Sequence, residues 1–254
     1  MSAPVFLAEA SATHPLSGYG PGALYVLDGA EGRHAGVVQR RGPGERIDVV
    51  DGAGVRLRTV VEAVHGAEVH LRVEQAVVEP VPDVVVTLVQ ALAKGDRDEM
   101  AIEAATETGV DAIIPWQAER SVVVWRGDRA AKSRARWVST VRAATKQARR
   151  ARIPDVDVSL STKQLAARAR EVVAAGGAVV VLHEEATTGL SAVPLPDAGA
   201  LLLVVGPEGG ISEAEVALLT EAGAVTARLG PHVLRTSTAG PIAIALLSDR
   251  LGRW

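Results

Sequence analysis

Two prolines separated by one residue, Pro80 and Pro82, divide this chain into stretches that obey different periodicities. Proline locks its own φ and steers the preceding residue away from helix, so neither helix nor strand runs smoothly through such a pair. Ahead of it, residues 46–50, 55–64 and 68–73 alternate apolar with polar side chains and break at Asp51-Gly52-Ala53-Gly54 and His65-Gly66-Ala67. Period-two alternation punctuated by glycine turns predicts a small antiparallel barrel. Beyond it the texture changes. Apolar runs at 84–89, 112–115, 178–182, 200–205 and 225–229 alternate with helical patterns at 97–108, 132–150, 164–175, onward from Ser212, and 241–251. Alternating strand and helix predicts an α/β domain with a mostly parallel sheet. The domains are therefore expected at 1–79 and 80–254.

Composition removes several chemistries. The 254 residues carry 27 basic and 30 acidic side chains, a net of −3, which argues against a globally basic nucleic-acid coat protein. Cysteine is absent, excluding disulfides, thiolate metal sites and cysteine nucleophiles. Aromatic residues make up only 3%, too few for rows of rings that stack bases. The six histidines show no metal-ligand spacing, so no metal is expected. Met1 to Ala12 lacks a basic stretch followed by an apolar core, and no apolar run nears 18 residues. A soluble, cytoplasmic protein without a membrane partner is the expectation.

Charge is unevenly spread. Residues 126–152 hold ten basic side chains and one acid, Asp128, a local +9 that leaves −12 for the remainder. Arg142, Lys146 and Arg149 or Arg150 fall at helical spacing on one face, where like charges repel and no interleaved Glu relieves them. A solvated face normally mixes signs; a stripe that neutralises phosphates gains the released counterions. Arg33, Arg40 and Arg41, with Arg46, Arg56 and Arg58, form a weaker basic feature in the first domain. Asp96-Arg97-Asp98-Glu99 reads as a solvated helix start, its acids near the positive end of the dipole.

Residues 201–205 run straight into Gly206-Pro207-Glu208-Gly209-Gly210, and Ser212 with Glu215 has capping-box spacing for the next helix. Glycines here permit positive φ and close approach of a ligand at the carboxyl end of a strand. The phosphate-loop lysine is missing and the dinucleotide glycine spacing is wrong. Leu229-Gly230-Pro231-His232-Val233-Leu234-Arg235-Thr236 and His183-Glu184-Glu185-Ala186 follow two other strands. Three such loops predict one small-molecule pocket.

Those residues carry a resemblance. Gly206 to Gly210, Leu229-Gly230 and Val233-Leu234-Arg235-Thr236 are similar to the ribosomal small-subunit uridine N3-methyltransferases of the knotted SPOUT class. Gly109-Val110, Pro115 with Glu119-Arg120-Ser121, Gln147 with Arg150 ahead of Ile153-Pro154, and His34, Val38 and Arg41-Gly42-Pro43-Gly44 add to it in the family's order. The resemblance implies a PUA-like RNA-binding barrel, a SPOUT methyltransferase domain with a C-terminal trefoil knot, and a homodimer acting on 16S rRNA or the 30S subunit. It implies that S-adenosylmethionine sits in loops comprising Leu182, His183, Glu184, Gly206, Pro207, Glu208, Gly209, Gly210, Leu229, Gly230, Val233, Leu234, Arg235 and Thr236. Arg33, His34, Arg40, Arg41, Arg142, Lys146, Arg149 and Arg150 are the expected RNA contacts. Two positions depart from the pattern: Lys146-Gln147 replaces Glu-Gln, and Ser237 replaces the glutamate of Arg-Thr-Glu-Thr. The first favours phosphate binding.

Methyl transfer to a ring nitrogen is an in-line displacement in which positioning supplies most of the acceleration. Uracil N3 must lose its proton, so a base or a donor stabilising the oxygens is required. Arg235 is the candidate for the oxygen-stabilising or target-phosphate role. Glu208 either orients groups, accepts the proton, or caps the following helix. Two rival functions remain open: another SPOUT enzyme acting on tRNA or a ribose hydroxyl, and a non-catalytic ribosome-assembly factor.

Overall fold

The computed structural model describes residues 3–8 and 15–254, so of the N-terminal stretch Met1 to Ala12, residues 1, 2 and 9–12 lie outside the described residues. The chain forms two compact units, 1–81 with 145–153 and 82–144 with 154–254.

The small unit holds β1 (Val5–Leu7), β2 (Leu24–Leu27), a short helix α1 (Gly29–Arg33) that widens into a π-turn over His34–Val38, β3 (Arg46–Val50), β4 (Val55–His65) and β5 (Glu68–Val78). The strands order β1-β3-β4-β5-β2. Alternation decides which side chains turn inward. Ile47 and Val49 of β3, Leu57 and Val61 of β4, and Val69, Leu71 and Val73 of β5 are buried with Phe6 and Leu27, while Arg58 and Arg72 between them face out. Gly66, at φ 65°, supplies the positive φ that a two-residue hairpin loop needs between His65 and Glu68. The pairing is not wholly antiparallel, as the alternation led us to expect: β1 runs parallel to β3. The long chain between them, carrying β2 and α1, permits that direction.

The large unit contains β6 (Val84–Ala91), α2 (Arg97–Glu107), β7 (Ala112–Gln117), most of α3 (Asp128–Gln147), β8 (Asp155–Val156), β9 (Leu160–Ser161), α4 (Thr162–Ala174), β10 (Ala178–Leu182), β11 (Gly199–Val205), α5 (Glu213–Glu221), β12 (Val225–Ala227) and α6 (Thr236–Arg250). Its sheet is parallel throughout, ordered β12-β10-β11-β6-β7-β8, with β9 also on β7. Residues 201–205 of β11 and nearly all of β6 are buried, which is why these strands read as continuous apolar runs. One core joins Val89, Trp116, Leu165, Val181, Leu202, Val204 and Leu219.

Two helix ends differ from their sequence signals. α3 stops at Gln147 rather than running to 150. The Arg149 N–H bonds to the Lys146 carbonyl at 3.1 Å and the Arg150 N–H to that of Thr145 at 3.0 Å, with Arg149 at φ 57°. This is the left-handed double-bonded helix end that usually takes glycine, and an arginine in that place hides the signal. α6 begins five residues ahead of Pro241, which lies inside the helix and costs it one backbone bond. Close packing offsets that loss: a Cβ on Gly240 would stand 3.0 Å from Leu88 Cδ1.

Candidate functional site

The carboxyl ends of β10, β11 and β12 open into one cleft of about 770 Å³. All fourteen residues assigned above to a cofactor line it, from Leu182, His183 and Glu184 through 206–210 to Leu229, Gly230 and 233–236. Parallel strands place their following loops at the same edge, so three loops distant in sequence converge there.

Local chemistry fixes the glycine loop. The Gly210 N–H closes a turn on the Pro207 carbonyl at 2.9 Å, and Gly210 takes φ 74°. A side chain at Gly206 would meet Ile211 Cγ1 at 2.6 Å. The capping box forms as the spacing predicts: the Ser212 hydroxyl accepts the Glu215 N–H, and the Glu215 carboxylate accepts the Ser212 N–H at 3.1 Å. The other Glu215 oxygen accepts the Glu119 N–H at 2.8 Å and the Thr162 hydroxyl at 2.7 Å. Ser212 in turn donates to Glu119 at 2.7 Å, holding the loop after β7 against the glycine loop.

Glu208 does not cap α5, one of the roles open from sequence; Ser212 does. Its carboxylate reaches the loop after β6, accepting from Arg97 Nη1 at 2.8 Å and from the Lys94 N–H at 3.1 Å. Burial pushes its pKa up, but the bond from Arg97, the backbone N–H groups of Glu208 and Lys94, and the Arg97 charge together bring it below the ordinary value. A carboxylate so held is a poor proton acceptor.

A buried chain of hydrogen bonds ties two of the loops to β6. The Gln90 amide donates to Thr236 Oγ1 at 2.9 Å, and Thr236 donates to the Gly206 carbonyl at 2.7 Å. Next to it, the Arg235 carbonyl accepts the Thr238 and Ala239 N–H groups of α6, while its exposed guanidinium has no protein partner among the described residues. Asp96-Arg97-Asp98-Glu99 is solvated only in part: Asp96 and Arg97 are exposed, but the first turn of α2 directs Asp98 inward. Asp98 is 6% exposed, and burial pushes its pKa up to about 6. Asp96 and Glu99 pair instead with Arg136 of α3.

The expected RNA contacts separate into two groups. Arg33, Arg40, Arg142 and Arg149 are exposed, and their side chains have no partner among the described residues. Arg41 donates to Gln39 and Glu45, and His34 meets Gln39 at 3.0 Å and the edge of Phe6. Lys146, expected to contact phosphate, is paired within the protein: its ammonium lies 2.7 Å from both oxygens of Glu31 in a mostly buried pair and 5.8 Å from the Phe6 ring centre. Nor do Arg149 and Arg150 share its helical face, because α3 has already ended. Arg150 is half-buried and partnered.

Residues not singled out as site residues also line the cleft, notably Arg97, Arg120, Glu213 and Arg228. Arg120 belonged to a quoted motif, but nothing in the linear sequence joins it to the glycine loop 89 residues later. Among the described residues no cluster of His, Asp or Glu could hold a metal ion, and no helix is long and apolar enough to cross a membrane.

Residues 80–248 match the RNA methyltransferase domain family. The ribosomal RNA small subunit methyltransferase E of Mycobacterium bovis is 51% identical over 233 residues, 92% of this chain and 89% of that protein. Its namesake from Bacillus subtilis is 34% identical over 88% and 89%. Among solved structures, the ribosomal RNA small subunit methyltransferase E from Neisseria gonorrhoeae bound to S-adenosyl methionine superposes with a TM-score of 0.82 over 98% of both chains at 27% identity. A match this long, on loops that the fold gathers into one cleft, means that the chain belongs to the RNA methyltransferase domain family.

Proposed function

We propose that the chain methylates N3 of a uridine in the 16S rRNA of the small ribosomal subunit, using S-adenosylmethionine. The observation that carries this reading is the convergence of the three strand-end loops on one cleft beside Arg235, whose guanidinium has no partner among the described residues. The volume suits a ligand of that size. Leu182, Leu229, Val233 and Leu234 offer apolar walls, Gly206 to Gly210 offer close backbone, and Glu184 offers a carboxylate for hydroxyl or ammonium groups. S-adenosylmethionine supplies an electrophilic methyl group when bound; the rest falls to the protein. Arg235 stabilises the charge that builds on the uracil oxygens as N3 loses its proton. Glu208, its charge held by Arg97, orients the glycine loop and leaves the proton to another acceptor.

The same reading extends to the rest of the molecule. The small unit is a PUA-like barrel that grips RNA through exposed Arg33 and Arg40, and Arg142 and Arg149 supply further cations. The return of the chain from edge strand β12 to the bonds Thr236 makes with Gly206 and Gln90 suits a trefoil knot. Exposed Met100 on α2 and Ile242 and Leu246 on α6 suit a homodimer formed by a second copy. The protein works in the cytoplasm, on rRNA or the 30S subunit.

Incubating the protein with labelled S-adenosylmethionine and either protein-free 16S rRNA or 30S subunits, then identifying the methylated nucleoside by mass spectrometry, tests this. The expected product is 3-methyluridine. A ribose-methylated nucleoside, or transfer to tRNA alone, would overturn the choice of target. No calorimetric affinity for S-adenosylmethionine would leave only a binding protein.

A further inference from the structure

Four arginines line the cleft: Arg97, Arg120, Arg228 and Arg235. The charge of Arg97 is cancelled by Glu208 at 2.8 Å. Arg228 is held by its backbone, through Thr188 at 2.8 Å and Leu190 at 2.9 Å, and its side chain has no partner among the described residues. Arg120 differs from both. Its Nη1 donates to the Gly209 carbonyl at 3.1 Å, and its stem fills the space where another residue at 209 would carry a side chain. A Cβ on Gly209 would stand 3.2 Å from Arg120 Cβ and 3.7 Å from its Cδ, and one on Gly210 would stand 3.9 Å from Nη1. No ion pair joins it to the adjacent Glu119 among the described residues; that carboxylate accepts from the Ser212 hydroxyl instead. The remaining guanidinium N–H groups have no protein acceptor among the described residues, and the side chain is exposed at the rim.

We propose that Arg120 holds a backbone phosphate of the RNA at the rim of the cleft, positioned for it by the glycine at 209. A guanidinium with an immobilised stem loses little entropy when its free N–H groups take two phosphate oxygens. This inference rests on the RNA-methylating reading and adds to it a positioning residue for the substrate.

The test compares the unchanged protein with Arg120→Ala and Arg120→Lys, measuring affinity for 16S rRNA and for 30S subunits from 50 to 200 mM salt. Calorimetry with S-adenosylmethionine runs alongside. Losing one phosphate contact lowers the slope of log affinity against log salt by about one and binding by roughly tenfold at low salt. Arg120→Lys should keep the slope, and cofactor affinity should stay within about twofold in both variants. An unchanged slope in Arg120→Ala overturns the proposal, as does a loss of cofactor affinity without a change of slope, which would make Arg120 only a loop latch. If the unchanged protein methylates rRNA while the slope does not move, only this inference fails; if it binds neither RNA form, the parent reading fails with it.

Discussion

The sheet of the small unit and the cleft of the large one treat positive charge differently. In that sheet, β3, β4 and β5 set arginines against carboxylates, Arg46 against Glu74, Arg56 between Asp48 and Glu79 and Arg72 against Glu62, and beside it α3 sets Lys146 against Glu31 of α1. In the cleft, Arg120 and Arg235 have no carboxylate partner among the described residues. Counting charges along the chain favoured the region around Lys146, whereas the three-dimensional pairing favours the cleft. A basic residue informs about a ligand only after its own acids have been found, and those acids are usually distant in sequence. Glu31 lies 115 residues before Lys146, and Glu208 lies 111 after Arg97.

The largest expected effect tests the unpaired side of this contrast. Arg235→Ala should lower methyl-transfer turnover by about 10² to 10³, the usual cost of removing a donor aimed at developing charge. Affinity for S-adenosylmethionine measured by calorimetry should change less than about twofold, since the backbone of 235 stays in place at the start of α6. Unchanged turnover would return Arg235 to the surface and remove the contrast.

A buried carboxyl with no opposite charge beside it among the described residues gives the next effect. Asp98 has an ordinary pKa of 3.8, raised to about 6 in the fold chiefly by burial, with the Glu99 charge adding to it and backbone bonds to Glu99 and Ala93 opposing it. The folded protein therefore binds a proton more tightly than the unfolded chain. Stability associated with that proton is complete below about pH 4, declines through the interval between, and is gone above about pH 6. Asp98→Asn keeps an acceptor for the Glu99 N–H and removes the titration. It should match the parent protein near pH 4 and exceed it by on the order of 3 kcal/mol above pH 6. Denaturant unfolding at three pH values checks this, and a gain independent of pH would contradict it.

Elements whose signals are local were readable from the chain. The Ser212 and Glu215 cap, the apolar runs of β6 and β11, and the turn glycines at 206, 209 and 210 each show themselves within a few residues, and the fold then gathers the loops they mark. Elements defined by distant partners were not. β8 and β9, two residues each, exist only because β7 lies beside them. Arg120 gains its place from Gly209, and α3 ends at a left-handed arginine where a glycine would have marked the stop. The inward turn of Asp98 hides behind a charged tetrapeptide that looks solvated in every linear respect.

The smallest expected effect tests the paired side. Lys146→Ala leaves the Glu31 carboxylate, 15% exposed, with the Leu7 N–H at 3.3 Å as its one remaining donor among the described residues. Removing one member of a mostly buried pair strands the other, and here, with partial access to water, the cost should be about 2 kcal/mol by denaturant unfolding. Replacing both, as Lys146→Met with Glu31→Gln, should cost less than Lys146→Ala alone, because no charge is left behind. The salt slope of rRNA binding should be the same in Lys146→Ala as in the parent protein, in contrast to Arg120→Ala. A fall in that slope would show that Lys146 leaves Glu31 to meet a phosphate. Pairing within the free protein would then be a resting arrangement, and the contrast between the two units would lose its basis.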